Sequence, residues 1–184
     1  KGMKGSERRL AFIRGDLNAT RENPAAYKKH VLPVIEKGDA YTWFHHGLLD
    51  VSTGQHGKDP NFTEPTFEAL YESTYGVAPS GDFYDAYKLV KSWRDALQKA
   101  FWVNKGNPNK DKLVAALNKM INDPESVAAI EKKVGKYEWR TGADGDAAVR
   151  TLKSFITPKA LKTLADFKSK QLGYNTVYKE ELTE

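Results

Sequence analysis

Apolar positions along this chain recur mostly with the helical period of 3.6 rather than in strict alternation. Leu10, Ala11 and Ile13 make the apolar side of a short helix that opens near Ser6 and stops at Gly15. Residues 17–21 are too few for a helix and read as a short strand. Asn23-Pro24 pairs a capping side chain with proline at the first helical position, a strong start signal. Pro33 should interrupt that helix, leaving 34–37 as a last turn closed by Gly38. The stretch AYTWFHHGLL, residues 40–49, is aromatic-rich and reads as a buried strand. Residues 51–64 are rich in Gly, Asp and Asn and read as a loop.

Beyond the loop the pattern is helical almost throughout. A short helix is expected over 65–73. A longer one opens at Asp82, with Phe83, Tyr87, Val90, Trp93 or Arg94, Leu97 and Phe101 at helical spacing. Asn107-Pro108 and Asp123-Pro124 repeat the cap-and-proline device; Leu113, Leu117 and Ile121 follow the first, and Val127, Ile130 and Val134 the second. KYEW, residues 136–139, reads as a strand. Two last helices span about 146–155 and 158–172, the second capped by Thr157 and closed by Gly173. Helix and strand alternate in the first part, which predicts an α/β arrangement with a parallel sheet. So few strands need partners, and the chain is expected to be the later part of something longer.

Composition changes this picture little. With 184 residues, 40% hydrophobic and 29% charged, the chain fits one domain or two small lobes. It has no cysteine, which excludes a disulfide framework and a cysteine–zinc site. The net charge of +5 comes from lysines scattered among acidic residues, as in Glu131-Lys132-Lys133, so no basic stripe or nucleic-acid module is predicted. His45, His46 and His56 lack a metal-ligand pattern, because adjacent strand residues face opposite ways. No nucleophile elbow or phosphate-binding glycine loop is present, so neither an enzyme nor a cofactor is expected. Arg14-Gly15-Asp16 looks like an adhesion tripeptide and Asn18-Ala19-Thr20 like a glycosylation sequon. Both read better as a helix end followed by a strand entrance. Asn61-Phe62-Thr63 is the more accessible sequon.

Landmarks in order carry a family resemblance: Gly15-Asp16-Leu17-Asn18, Ile35-Glu36-Lys37-Gly38, Pro65-Thr66-Phe67-Glu68, Gly106-Asn107-Pro108 and Asp123-Pro124-Glu125. In this order and spacing, up to about Thr141, the chain resembles the later part of TctC-like solute-binding proteins, the Bug receptors of tripartite tricarboxylate transporters. It departs from them at Asp16 and Asn18, where the family favours Glu and Asp, at Asn104-Lys105 and Asn107, and in an insertion between Leu70 and Leu97. The resemblance implies an α/β, type II periplasmic-binding-protein-like, bilobed fold lacking most of the first lobe. Residues 1–100 would be most of the second lobe with a helical insertion, and 101–184 a helical return to the first lobe with a C-terminal tail. It also implies a monomer in the periplasm that captures a small organic anion, a carboxylate, and delivers it to a membrane permease.

In such a receptor the cleft lies at strand carboxyl ends, which here selects residues 20–26. Ala25 and Ala26 would offer free N–H groups at the helix start, where the dipole favours an anion. Arg21 would clamp a carboxylate, with Thr20 or Asn23 donating a further hydrogen bond. Trp43 would stand as an aromatic wall. The bland alternative has Asn23 as a mere cap and Arg21 paired with Glu22 or facing the surface. The alternative for the whole chain is a small basic helical module that binds an anionic partner or surface.

Overall fold

The computed structural model describes residues 3–97, 100–176 and 178. It is a mixed but mostly helical structure with one small two-stranded sheet. The chain divides into two compact units: Lys1–Trp43 with Asp123–Tyr137, and Phe44–Asn122 with Glu138–Glu184. This partition differs from the 1–100 and 101–184 division expected above. The chain passes between the units after Trp43, after Asn122 and after Tyr137.

The first unit is helical. Helix α1 (Gly5–Ile13) ends as its glycine dictates: Gly15 takes φ 81°, its N–H reaches Phe12 O at 3.0 Å, and Asp16 N–H reaches Ala11 O at 2.8 Å. Residues 17–21 form no strand. A strand needs a neighbouring ladder, and the Arg21 carbonyl is instead satisfied by the Arg8 side chain at 2.6 Å. Helix α2 (Pro24–Ala26) starts where Asn23 caps it.

Pro33 does not interrupt the next helix. In a regular α-helix its ring would strike the carbonyl four residues back and its missing N–H would break the ladder. A π-helical turn over Tyr27–Val31, in which Leu32 N–H reaches Tyr27 O, widens the backbone and carries it into α3 (Leu32–Glu36). Gly38 then closes α3 as Gly15 closes α1. Helix α7 (Pro124–Val134) packs against α2, and Ala11 and Val31 are the buried apolar side chains among the described residues of this unit.

The second unit holds the sheet. Strands β1 (Leu48–Asp50) and β2 (Gln55–Gly57) pair antiparallel, with Leu49 opposite His56. The expected buried strand over 40–49 therefore shrinks to its end, and the expected loop over 51–64 contains β2. Parallel pairing occurs only as an isolated bridge between His45 and Thr66 among the described residues. Gly47 is the physical reason: at φ 73° it turns the chain between bridge and strand, and its Cα lies so close to Gly57 that an added Cβ would sit 2.3 Å from Gly57 O. KYEW likewise forms no strand.

Around this sheet run α4 (Phe67–Tyr75), α5 (Asp82–Leu97), α6 (Lys110–Ile121), α8 (Gly142–Ser154) and α9 (Pro158–Lys170). Thr66 caps α4 and Thr157 caps α9, each accepting the N–H three residues on at 3.1 Å. Asn107-Pro108 proves to be a turn instead of a helix start: Asn107 Oδ1 accepts from Asn109 N at 2.9 Å, and α6 begins at Lys110.

Helix α5 lies against α9, α8 and β1, and that packing selects its buried face. Ala86, Leu89 and Ser92 go inward, while Phe83 is 70% exposed and Val90 is exposed. The core joins Leu49 and Val51 of the hairpin region to Ala148 and Leu152 of α8, with Trp93, Leu97 and Phe155 packed around them. Trp93 Nε1 donates to Leu152 O at 3.1 Å, so its one polar atom is satisfied there.

Candidate functional site

Apart from Trp43, the residues singled out for ligand binding lie on one segment of the first unit, residues 20–26, and α1 supports that segment. Two adjacent arginines on α1 reach it differently. Arg9 Nε pairs with Glu22 Oε1 at 3.1 Å, and both side chains are largely buried. Glu22 is thus engaged by Arg9, not by Arg21. Arg8 Nη2 donates to the backbone carbonyl of Arg21 at 2.6 Å.

Asn23 is a cap: its Oδ1 accepts from Ala26 N at 3.0 Å. The Ala26 N–H is therefore spent inside the protein, a correction to its expected role as a free anion donor. The Ala25 N–H sits at the head of α2, which the π-helical turn and α3 continue as one helical run. Thr20 carries a sharper signal. Its Oγ1 is buried and has no hydrogen-bond partner among the described residues, and the same holds for Arg8 Nε. Trp43 does not lie in a buried strand; it is 65% exposed. Its neighbour Thr42 is tied to the π-helical turn through Tyr27, Oη to Oγ1 at 3.0 Å.

The pattern of apolar positions did not single out Arg8 and Arg9. The available signal was their place on a nine-residue helix that buries only Ala11, next to a segment carrying Glu22. Two arginines on so small a helix have little apolar surface to cover, and folding turns them toward polar groups.

A second polar assembly lies in the other unit, around the inner side of α5. Lys91 is 3% exposed at its side chain, with Nζ 3.6 Å from Glu68 Oε1 and 5.9 Å above the Tyr87 ring. Tyr84 Oη donates to the same Glu68 oxygen at 3.2 Å, and its pKa is pushed up to about 12 by burial and by the Glu68 carboxylate. His46 Nδ1 meets Tyr87 Oη at 2.8 Å, and His56 Nε2 meets Ser92 Oγ at 3.2 Å. Burial and then the Lys91 ammonium lower the pKa of both histidines, that of His56 to about 4.

His45 is buried and stacked on Phe62, and its Nδ1 accepts from Gly47 N at 2.9 Å, so the neutral ring carries its proton on Nε2. This assembly sets the buried Lys91 cation beside the Glu68 carboxylate, with neutral rings around them and the Lys88 ammonium 5.0 Å over the Tyr84 ring. Its contacts are internal, which suits a structural charge cluster better than chemistry on a ligand.

Among the described residues no group of three or more His, Cys, Asp or Glu side chains is arranged to hold a metal ion, and no helix is long and apolar enough to cross a membrane. Against known proteins, no family model, no curated protein and no solved structure matches this chain.

Proposed function

We propose that the chain belongs to an extracytoplasmic solute-binding protein of the TctC-like type, which captures a small organic carboxylate and delivers it to a membrane permease. The finer fold reading goes with it: a bilobed, type II binding-protein-like architecture, located in the periplasm and without catalytic activity of its own. One structural observation is compatible with this reading: the chain divides into two compact units and passes between them three times, at boundaries other than those the resemblance implies. Lobes joined by several crossings suit a receptor whose halves move as bodies while the chain stays continuous, whereas a simple interaction module needs one unit. The ordered landmarks from Gly15 to Glu125 support it independently. Thr20 and Arg21 are the ligand-facing residues on this reading.

Differential scanning fluorimetry with sodium citrate and sodium succinate, at matched ionic strength, tests the proposal. A receptor is expected to gain stability saturably, by about 2.7 kcal/mol when ligand exceeds Kd a hundredfold. Absence of any saturable gain, together with binding to heparin that collapses steeply as salt rises, would replace this reading with the basic interaction module.

A further inference from the structure

Charges on and beside α1 are neutralised unevenly. Arg9 is paired with Glu22, and Arg14 with Asp16 at 2.8 Å. Arg8 has no carboxylate partner among the described residues, and its guanidinium makes one hydrogen bond, to the Arg21 carbonyl. A neutral carbonyl orients that cation without neutralising it. The guanidinium is partly buried, so a missing counter-charge costs more than it would in open solvent. Its Nε–H is buried and unbonded, and so is the Thr20 hydroxyl, on the residue next to the carbonyl that holds Arg8. Buried polar atoms without partners are uncommon, and these two lie on α1 and on the segment joined to it by the Arg8–Arg21 hydrogen bond, a pair that calls for an occupant.

We infer that Arg8 and Thr20 form a carboxylate seat: Arg8 Nε–H and the Thr20 hydroxyl donate to one carboxylate of the ligand, whose charge Arg8 neutralises. This rests on the receptor reading above and adds to it a residue on α1. A carboxylate suits the donor set better than a phosphate. The seat offers one cation and two single donors, enough for a monoanionic head but too few for the oxygens and charge of a phosphate dianion. Arg9 cannot take the role while Glu22 holds it.

The test is a titration of the 184-residue chain with sodium succinate and sodium citrate, followed through ¹⁵N-resolved arginine Nε–H resonances, with sodium chloride and inorganic phosphate as comparison salts. One Nε–H resonance, absent from Arg8→Lys, is expected to shift saturably with a carboxylate. Arg8→Gln should weaken binding roughly ten- to a hundredfold, as loss of a hydrogen bond to a charged group does. Arg14→Ala should leave it unchanged. Thr20→Val keeps the side chain's shape and removes an oxygen that bonds to nothing among the described residues, so it isolates the ligand contact; a loss of about fivefold or more is expected.

Carboxylate binding that Arg8→Gln and Thr20→Val leave intact would overturn the seat and spare the receptor reading. No saturable shift with either carboxylate would overturn both. Phosphate binding as tight as the carboxylates would overturn the ligand class.

Discussion

At the scale of single residues, the second unit is governed by a buried cation. Lys91 sits among His46, His56, Tyr84, Tyr87 and Glu68, with Lys88 also acting on His56. His56 titrates near 6.5 when unfolded and near 4 when folded, so acid favours the unfolded chain. Stability from this group is complete above about pH 7.5 and is lost as pH falls through 6.5 toward 4. The full conversion is about 3 kcal/mol, which partial exposure of the ring reduces to roughly 1–2 kcal/mol. Urea unfolding at pH 7.5, 6 and 4.5 should show that decline, and His56→Gln should flatten it. Lys91→Met removes the second cause of the depression, so NMR titration should find both histidine pKa values raised. Gly47→Ala combines φ 73° with a Cβ at 2.3 Å from Gly57 O, and should cost at least about 2 kcal/mol in the same unfolding assay.

At the scale of elements, caps and glycines act locally and were legible. Gly15, Gly38, Thr157 and Asp123 stand where the sequence placed them as helix ends, because a cap satisfies N–H or C=O groups within five residues of itself. Thr157→Ala should lower stability by about 1 kcal/mol through α9 alone. Strands were less legible. The aromatic run over 40–49 has strand composition, yet Tyr41 and Trp43 face solvent and Gly47 turns the chain, because ladder formation depends on a neighbour that composition does not reveal. Pro33 was read as a helix breaker, and the π-helical turn absorbed it. Between α5 and α6, Phe101 is 75% exposed and Trp102 72% exposed, in backbone outside any helix or strand. Chymotrypsin should therefore cut first at Phe101–Trp102, which mass spectrometry of the earliest fragments would show.

At the scale of the whole molecule, packing inside the second unit sorted the apolar positions of α5 into buried and exposed ones. On α5 the pattern offered Phe83, Tyr87, Val90, Trp93 or Arg94, Leu97 and Phe101; Trp93 and Leu97 pack on the core, Phe83 and Val90 are exposed, and contact with α9, α8 and β1 buries Ala86, Leu89 and Ser92. An amphipathic period shows that a helix has an inner side; the neighbours decide which side that is. The candidate site divides in the same way. Thr20 was legible because it precedes a capped helix start, and Asn23 because asparagine before proline is a local device. Arg8 was not, because its meaning depends on a carbonyl thirteen residues away and on Arg9 having taken Glu22. By itself the sequence determined where most helices end, since those ends are fixed by hydrogen bonds and φ preferences within a few residues. Only the tertiary structure decided which strands pair, which helix faces are buried and which arginine keeps an unneutralised charge, since each depends on groups far apart in the chain that meet only when it folds.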